Sequence, residues 1–287
     1  MDNQPVSIDH YENFPVASVL CPPRLRAPIT AIYHFARTAD DLADEGSASA
    51  QERLAELHDY RGELQALAEG TRATRWPQVF QPLGAAVERF QIPLIPLHDL
   101  LDAFEQDCHN PCYPSRAALL DYCRRSANPI GRLLLHFYGL DDPQAMAESD
   151  AICSALQLIN FWQDPSVDLA RGRNYFPLDD LQSQGLTHAD MRHGADSPAS
   201  QAVIRQLVGW SRELMLQGAP LAFRLPGRAA WELRLVIQGG LRMLAKIEAM
   251  DCKTLSARPC LRGIDLPAML WRALCMSPSA APVRAVA

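Results

Sequence analysis

The sequence lacks the patterns that mark several common protein classes. It contains no Gly-x-Gly-x-x-Gly fingerprint of dinucleotide-binding folds, no Cys-x-x-Cys pair of a zinc or redox site, and no apolar run near the roughly 18 residues of a membrane-spanning helix. Its first residues, Met1 to Pro5, have neither the basic nor the apolar region of a secretory signal. We therefore expect a cytoplasmic protein whose eight cysteines are reduced thiols.

An excess of positive charge is also missing. The 27 lysines and arginines are outnumbered by 33 aspartates and glutamates, which gives a formal net charge of −6. This balance offers no general attraction for the phosphates of nucleic acid, so we expect no nucleic-acid partner. Hydrophobic residues nevertheless occupy 48% of the 287 positions, which excludes a largely disordered chain.

Aromatic residues are scarce, at 7%, and no convincing strand or hairpin pattern is present. Apolar residues recur instead at helical spacing along most of the chain, interrupted by short turns rich in Pro, Gly and Asn. None of these turns is long and flexible enough to be a linker between domains. The sequence predicts an all-α protein with one domain over residues 1–287, of which residues 278–287 are expected to fray.

The first group of candidate site residues lies in a predicted helix over residues 31–45. Four side chains follow one another at i, i+4, i+7 and i+11 and so share one stripe of that helix. They are Tyr33, Arg37, Asp40 and Asp44. Like charges at i, i+4, such as Asp40 and Asp44, destabilise an isolated helix by a few tenths of a kcal/mol. A divalent cation between the two carboxylates would offset this repulsion, and a solvated acidic face is the alternative.

A second oxygen-bearing stripe lies on an otherwise apolar predicted helix. Asn160, Asp164 and Asp168 stand at i, i+4 and i+8, so they should face a cavity. Oxygen ligands without histidine suit Mg²⁺, which completes its coordination with water and phosphate oxygens. Pro165 interrupts this pattern, because a proline inside a helix removes a hydrogen bond and kinks the helix. Arginines near the two acidic groups could bind the same phosphates, namely Arg37, Arg171 and Arg173.

Two other classes of helical protein fit these stripes less well. A carboxylate-bridged di-iron bundle requires paired Glu-x-x-His motifs, and none of the eight histidines has a glutamate three positions before it. An adaptor that uses acidic stripes to contact a basic partner would not require Asn160 in register with two aspartates. The two stripes together therefore favour a site for Mg²⁺ and a diphosphate.

These segments resemble the two aspartate-rich motifs of the squalene and phytoene synthases, a family of head-to-head isoprenoid synthases. The first motif is similar to residues 40–44, Asp-Asp-Leu-Ala-Asp, and the second to Asn160-x-x-x-Asp164-x-x-x-Asp168. Arg173 and the Tyr-Phe-Pro at 175–177 follow as they do in that family. The resemblance runs from about His10 to Ala273. It implies a single-domain isoprenoid synthase helical bundle with a deep central cavity.

Three stretches, residues 10–18, 121–131 and 238–242, are most similar to one branch of the family, the hydroxysqualene synthases of bacterial hopanoid biosynthesis. That resemblance implies an enzyme that converts presqualene diphosphate and water to hydroxysqualene and diphosphate. The alternatives are a presqualene diphosphate synthase, a phytoene synthase, or a non-catalytic module that binds a prenyl diphosphate or a protein.

The resemblance implies roles for individual residues. It implies that more than one Mg²⁺ ion is bound. The implied oxygen ligands are Asp40, Asp41, Asp44, Asn160, Asp164 and Asp168. The residues implied to bind substrate are His10, Phe14, Tyr33, Arg37, Gln157, Phe161 and Arg173. We predict that catalysis depends on Asp40, Asp44, Asp164, Asp168, Asn128 and Arg125.

Two departures from the family pattern concern the product. Arg125 replaces a tyrosine that is common in squalene synthases, and Gln163 replaces an arginine found in many relatives. Both changes argue against condensation of two farnesyl diphosphates and against reduction, so no NADPH is expected. Asn128, with Arg125, is predicted to orient the water that captures a carbocation. The alternative is that Asn128 caps the turn before Pro129.

The segment over residues 264–276 is amphipathic, with apolar residues that include Leu266, Met269, Leu270, Trp271 and Leu274 around a single Asp and a single Arg. Because the implied substrate and product are C30 lipids, this segment predicts either core packing or peripheral contact with the inner face of the cell membrane.

Overall fold

Thirteen α-helices and three short 3₁₀-helices follow one another along the residues that this computed structural model describes, which are 21–71, 74–192 and 196–278. The first seven α-helices are α1 (Pro23–Asp44), α2 (Ala50–Ala68), α3 (Pro77–Phe90), α4 (Ile95–Asp107), α5 (Arg116–Ser126), α6 (Asn128–Tyr138) and α7 (Pro143–Gln163). The other six are α8 (Pro165–Asp168), α9 (Leu178–Ser183), α10 (His188–Arg192), α11 (Pro198–Gly218), α12 (Gly227–Ala249) and α13 (Leu266–Cys275). Within these ranges the only β-type pairing is an isolated bridge between Cys112 and Asn174. The prediction of an all-α fold is confirmed.

Local chemistry sets where the helices begin. α1 begins at Pro23, a residue whose missing N–H is not needed in the first turn of a helix. α2 is preceded by a capping box in which Ser49 Oγ accepts from the Glu52 N–H at 3.3 Å and Glu52 Oε2 accepts from the Ser49 N–H at 2.8 Å. At α7, Asp142 Oδ1 accepts from the Ala145 N–H at 3.0 Å.

The chain breaks at Pro165, as the sequence indicated. α7 ends at Gln163, and α8 restarts at Pro165 after Asp164, which has φ −111° and ψ 22°. The Asp164 N–H still donates to the Asn160 carbonyl, and the Asp168 N–H donates to the Asp164 carbonyl, both at 2.9 Å. The second acidic stripe is thus spread over two helices rather than one, because proline cannot continue α7.

Two clusters of buried apolar side chains flank the centre of the molecule. The first comes mainly from α1 to α4 and contains Tyr60, whose hydroxyl donates to the Phe35 carbonyl at 3.1 Å. The second comes mainly from α5, α7, α11 and α12 and contains Trp162, whose indole N–H donates to Ser211 Oγ at 2.8 Å. α11 and α7 approach closely at Gly218, where an added Cβ would lie 3.0 Å from the backbone nitrogen of Ile152. The cavity described below lies between these clusters.

Some predictions fall on residues outside the described ranges. These are the substrate-binding roles of His10 and Phe14 and the fraying of the end of the tail, from residue 279 onward. Among the helices that are described, none combines the length and apolar composition that crossing a bilayer requires.

Candidate active site

An apolar cavity of about 530 Å³ lies between the two clusters of buried side chains. Its walls come chiefly from α1, α6, α7 and α12, and they include Tyr33, Phe161 and Val236. At one end the lining becomes polar. The oxygen-bearing side chains that line it there are Asp40, Asn160, Asp164 and Asp168. The two predicted acidic segments are therefore brought to one cavity.

A polar cleft of about 870 Å³ adjoins this cavity. It is lined by the first acidic segment, including Asp44, and by four arginines, Arg37, Arg53, Arg171 and Arg173. Four residues line both the cleft and the apolar cavity, which shows that the two spaces meet. They are Arg37, Asp40, Asp107 and Arg173.

Arg37 organises the first acidic segment. Its guanidinium lies 3.0 Å from Asp40 Oδ2, 2.6 Å from Asp41 Oδ1 and 2.9 Å from Glu45 Oε1. Charge-assisted bonds of this kind fix both partners. Asp41 lines neither the cavity nor the cleft. Its position therefore gives no support to its predicted role as a metal ligand.

The second acidic segment is held by an arginine that the sequence patterns did not reveal. Arg258, in the loop after α12, donates from Nη2 to Asp164 Oδ2 at 2.9 Å. That loop is tied to α7 by Gln163, whose amide Nε2 donates to the Pro259 carbonyl at 3.0 Å. Gln163 is only 3% exposed, so this bond is shielded from water. Spacing could not predict this pairing, since Arg258 and Asp164 are 94 positions apart.

A further ion pair joins the two segments. The guanidinium of Arg173, which follows the second acidic segment, contacts the Asp44 carboxylate at the end of α1. Both side chains are less than one-fifth exposed, so solvent screens this pair less than an ordinary surface pair. This pair brings Arg173, which follows the second motif in the sequence, next to the first motif.

Burial beside other carboxylates perturbs two acids at this site. Burial, followed by repulsion from Asp164, raises the pKa of Asp168 to about 7. Burial also raises the pKa of Asp107 to about 7; Tyr122 opposes this shift and Asp40 reinforces it. Perturbed acids in a cleft are typical of functional sites.

The donor set at the polar end fits Mg²⁺. It consists only of carboxylate and amide oxygens, and the repulsion between Asp164 and Asp168 is what a cation bound there would relieve. In the described part of the chain, no group of three or more His, Cys, Asp or Glu side chains is arranged so that it could hold a metal ion. Mg²⁺ usually takes one or two carboxylates from a protein and completes its shell with water and substrate phosphate.

Of the remaining predicted residues, some line the cavity and others do not. Gln157 and Phe161 line the apolar cavity. Asn128 lines neither space: it is 5% exposed, and its Oδ1 accepts from Ser154 Oγ at 2.9 Å. Arg125 also lines neither space, and its Nη2 donates to Gln106 Oε1 at 2.5 Å. The water-orienting role of this pair stays a prediction, without support from its position.

An aromatic wall stands beside Asp107. Phe161 and Tyr175 are stacked with ring centroids 3.7 Å apart, and Tyr122 packs against both at 6.2 Å. All three rings line the apolar cavity. Ring faces of this kind attract positive charge without forming bonds to it.

Comparison with known proteins places the chain in a family. The profile of the squalene/phytoene synthases matches residues 9–265. The hydroxysqualene synthase of Rhodopseudomonas palustris is 33% identical over 88% of this chain and 85% of its own length. The hydroxysqualene synthase of Zymomonas mobilis subsp. mobilis is 38% identical over 67% of this chain; the aligned part spans 64% of that protein, a little under two thirds.

Two solved structures are similar to this chain. The crystal structure of squalene synthase HpnC from Alicyclobacillus acidocaldarius matches with a TM-score of 0.77 and 36% identity, covering 84% of this chain and 90% of that one. A dehydrosqualene synthase in complex with a ligand matches with a TM-score of 0.78 over 89% of this chain and 88% of that one. At 19% identity the second likeness concerns the fold alone.

Proposed function

The chain belongs to the squalene/phytoene synthase family of isoprenoid-synthesising enzymes, and we propose that it is a hydroxysqualene synthase, which converts presqualene diphosphate and water to hydroxysqualene and diphosphate. The observation that carries the proposal is the junction of the two spaces. A cleft rich in arginine and aspartate opens onto an apolar cavity, so a diphosphate and a long hydrocarbon can be bound side by side.

Ionisation of the substrate requires stabilisation of the departing diphosphate. Mg²⁺, when bound, supplies positive charge to that leaving group. The residues proposed to hold it are Asp40, Asp44, Asn160, Asp164 and Asp168. Arg37 and Arg173, which line both spaces, would donate hydrogen bonds to the phosphate oxygens. Arg258 lines neither space, but it lies against Asp164 and would orient this carboxylate and add positive charge behind it.

The carbocation left behind must rearrange without early capture. The aromatic faces of Phe161, Tyr175 and Tyr33 line the cavity and can stabilise positive charge while the carbon skeleton rearranges. Aliphatic side chains from α6 and α12, among them Leu133, Leu134 and Val236, line much of the rest of the cavity and would limit the access of water to the cation. The proposed entry for the capturing water is the place where the cavity meets the polar cleft, and no NADPH is required for an alcohol product.

Separate incubations with farnesyl, geranylgeranyl and presqualene diphosphates, each with Mg²⁺, test this function. Presqualene diphosphate should be consumed to hydroxysqualene, identified by mass, while the other two remain largely unreacted. Formation of presqualene diphosphate from farnesyl diphosphate, or of phytoene from geranylgeranyl diphosphate, would instead assign a prenyl transferase.

A membrane surface is the proposed source of these lipids. Apolar side chains on and beside α13 are exposed to an unusual degree, with Ile264 at 83%, Trp271 at 68% and Leu274 at 59%. The proposed occupant of this face is a bilayer with anionic headgroups. Charge complementarity supports it: Arg262 and Arg272 are exposed here, whereas the one acid of residues 258–278, Asp265, is buried in ion pairs.

α12 links this face to the cavity. α13 packs along α12, where the Met269 side chain lies against Gly239. Leu233 and Val236, also on α12, line the apolar cavity. One helix therefore separates the exposed face from the substrate space, so a bilayer docked on α13 would lie close to the cavity.

A further inference from the structure

Asp107 occupies the boundary between the two spaces of the site. It is the last residue of α4 and lines both the polar cleft and the apolar cavity. Its side chain is therefore reachable by water from the cleft and by a hydrocarbon from the cavity. Neither of the aspartate-rich motifs includes it, and the Mg²⁺ ligands proposed above do not require it.

Its carboxylate is held in one orientation by a buried tyrosine. Tyr122, which is 4% exposed, donates its hydroxyl proton to Asp107 Oδ2 at 2.8 Å. Tyr122 is itself fixed by ring contacts with Tyr113 and Tyr175 at centroid distances of 5.6 and 6.2 Å. In the described ranges, no protein group donates a hydrogen bond to the other oxygen, Oδ1. A fixed carboxylate with one oxygen uncommitted can accept a proton from a small molecule beside it.

The electrostatic surroundings of Asp107 suit proton transfer. Burial raises its affinity for a proton, while the hydrogen bond from Tyr122 restrains that rise. A general base works best when it can both gain and lose a proton near the working pH.

The proposed reaction needs such a base. When water attacks a carbocation, the new C–O bond leaves a positively charged oxygen that must lose a proton to give the alcohol. We propose that Asp107, positioned by Tyr122, binds the capturing water at the cavity boundary and accepts its proton. This inference rests on the proposed function and adds a catalytic residue to it.

The step is balanced without any further reactant. The oxygen lone pair of water forms the C–O bond with the cationic carbon, and one O–H bond of the water breaks. Its proton passes to the Asp107 carboxylate, which later releases it to solvent through the polar cleft. The diphosphate has already left with the electron pair of the bond that broke, so no oxidant or reductant is involved.

The test compares Asp107→Asn with wild-type enzyme on presqualene diphosphate and Mg²⁺, measuring diphosphate release and product composition separately. Asn keeps the size of Asp and can still accept from Tyr122, but it cannot take a proton. We expect diphosphate release within about threefold of wild type and a fall of at least tenfold in the ratio of alcohol to hydrocarbon, since a general base contributes roughly 10²- to 10⁴-fold. Tyr122→Phe should lower the same ratio less, because the carboxylate remains but is less well oriented.

Asp102→Asn is the matched control, since Asp102 lies on the same helix but contacts Arg61 and lines neither space. Its product ratio should equal that of wild type. An unchanged alcohol ratio in Asp107→Asn would overturn the inference. So would loss of diphosphate release in step with loss of alcohol, because the carboxylate would then act before water arrives. If wild-type enzyme itself makes no hydroxysqualene, it is the proposed function that fails.

Discussion

Arg173 and Asp44 form an ion pair that joins the two aspartate-rich segments across the mouth of the site. Arg37 holds Asp40 within the first segment, and Arg258, from the loop after α12, holds Asp164 of the second segment. Each arginine thus occupies a carboxylate that is proposed to bind metal. Arrival of Mg²⁺ and a diphosphate would exchange these partners, because the cation takes the carboxylates and the guanidiniums turn to phosphate oxygens.

Loss of a proposed metal ligand should abolish turnover without unfolding the protein. We expect Asp40→Ala and Asp164→Ala to lower diphosphate release at least about 100-fold, since electrostatic stabilisation of the leaving group is lost. The melting temperature should stay near that of wild type, because removing one carboxylate also relieves repulsion among the acids. Asp141→Asn, an exposed acid outside the site, serves as control. Near-normal release by either alanine variant would contradict the metal assignment.

Arg258 should contribute to diphosphate binding. A hydrogen bond to a charged group is worth about 1.5 to 3 kcal/mol, so Arg258→Ala should lower kcat/KM for presqualene diphosphate roughly 10- to 100-fold. Arg258→Lys should recover part of this loss, because it restores the charge but not the two-pronged geometry. Steady-state kinetics measure both variants, and values equal to wild type would remove Arg258 from the site.

Gln163 should act through Arg258. Gln163→Leu removes the amide that donates to the Pro259 carbonyl and so frees the Arg258 loop from α7. We expect a rise in KM with little change in kcat, and little further effect when Arg258 is already alanine. Full additivity of the two substitutions would show that Gln163 does not position Arg258.

Stability at acid pH should depend on Asp265. This buried carboxylate accepts from Lys246 Nζ at 2.6 Å, from the Arg262 N–H at 2.8 Å and from Arg242 Nε at 2.8 Å, and these contacts hold its pKa well below its usual range. Since the folded pKa lies below the unfolded one, the stabilisation is complete above about pH 4 and is lost as the pH falls further. In urea unfolding, the free energy of unfolding of wild type should be well above that of Asp265→Asn at pH 7. This difference should become smaller below pH 4. A gap that does not change with pH would contradict this ion-pair account.

Membrane contact should depend on α13. Replacement of Trp271 and Leu274 by serine should reduce cosedimentation with vesicles that contain phosphatidylglycerol, while high salt should weaken wild-type binding by screening Arg262 and Arg272. Ile95→Ser is the matched control, because Ile95 is 74% exposed but lies at the start of α4. Equal loss of binding in the control, or no binding by wild type, would argue against this surface.

The helical fold and much of the site could be predicted from sequence because they follow local periodicity. The spacing from Tyr33 to Asp44 predicted which residues of α1 would share one face, and these side chains line the two spaces as expected. Pro165 marked the break after α7 because proline acts on the helix that contains it.

Residues that join the site through tertiary contacts were not predictable in this way. Arg258 reaches Asp164 from a loop, and Asp107 reaches the cavity because α4 ends there; neither position has a spacing that signals it. Asn128 shows the opposite case. It lies in a segment that resembles the family, and we therefore predicted a role in the cavity. Its amide oxygen instead accepts a hydrogen bond from Ser154 inside the protein.

The most direct test of the account is the reaction of presqualene diphosphate with enzyme and Mg²⁺ in ¹⁸O-labelled water, with and without NADPH. We predict hydroxysqualene with one ¹⁸O in its hydroxyl group, diphosphate in equal amount, and the same product whether NADPH is present or absent. Squalene formed only with NADPH, or no diphosphate release from presqualene diphosphate under these conditions, would contradict the account.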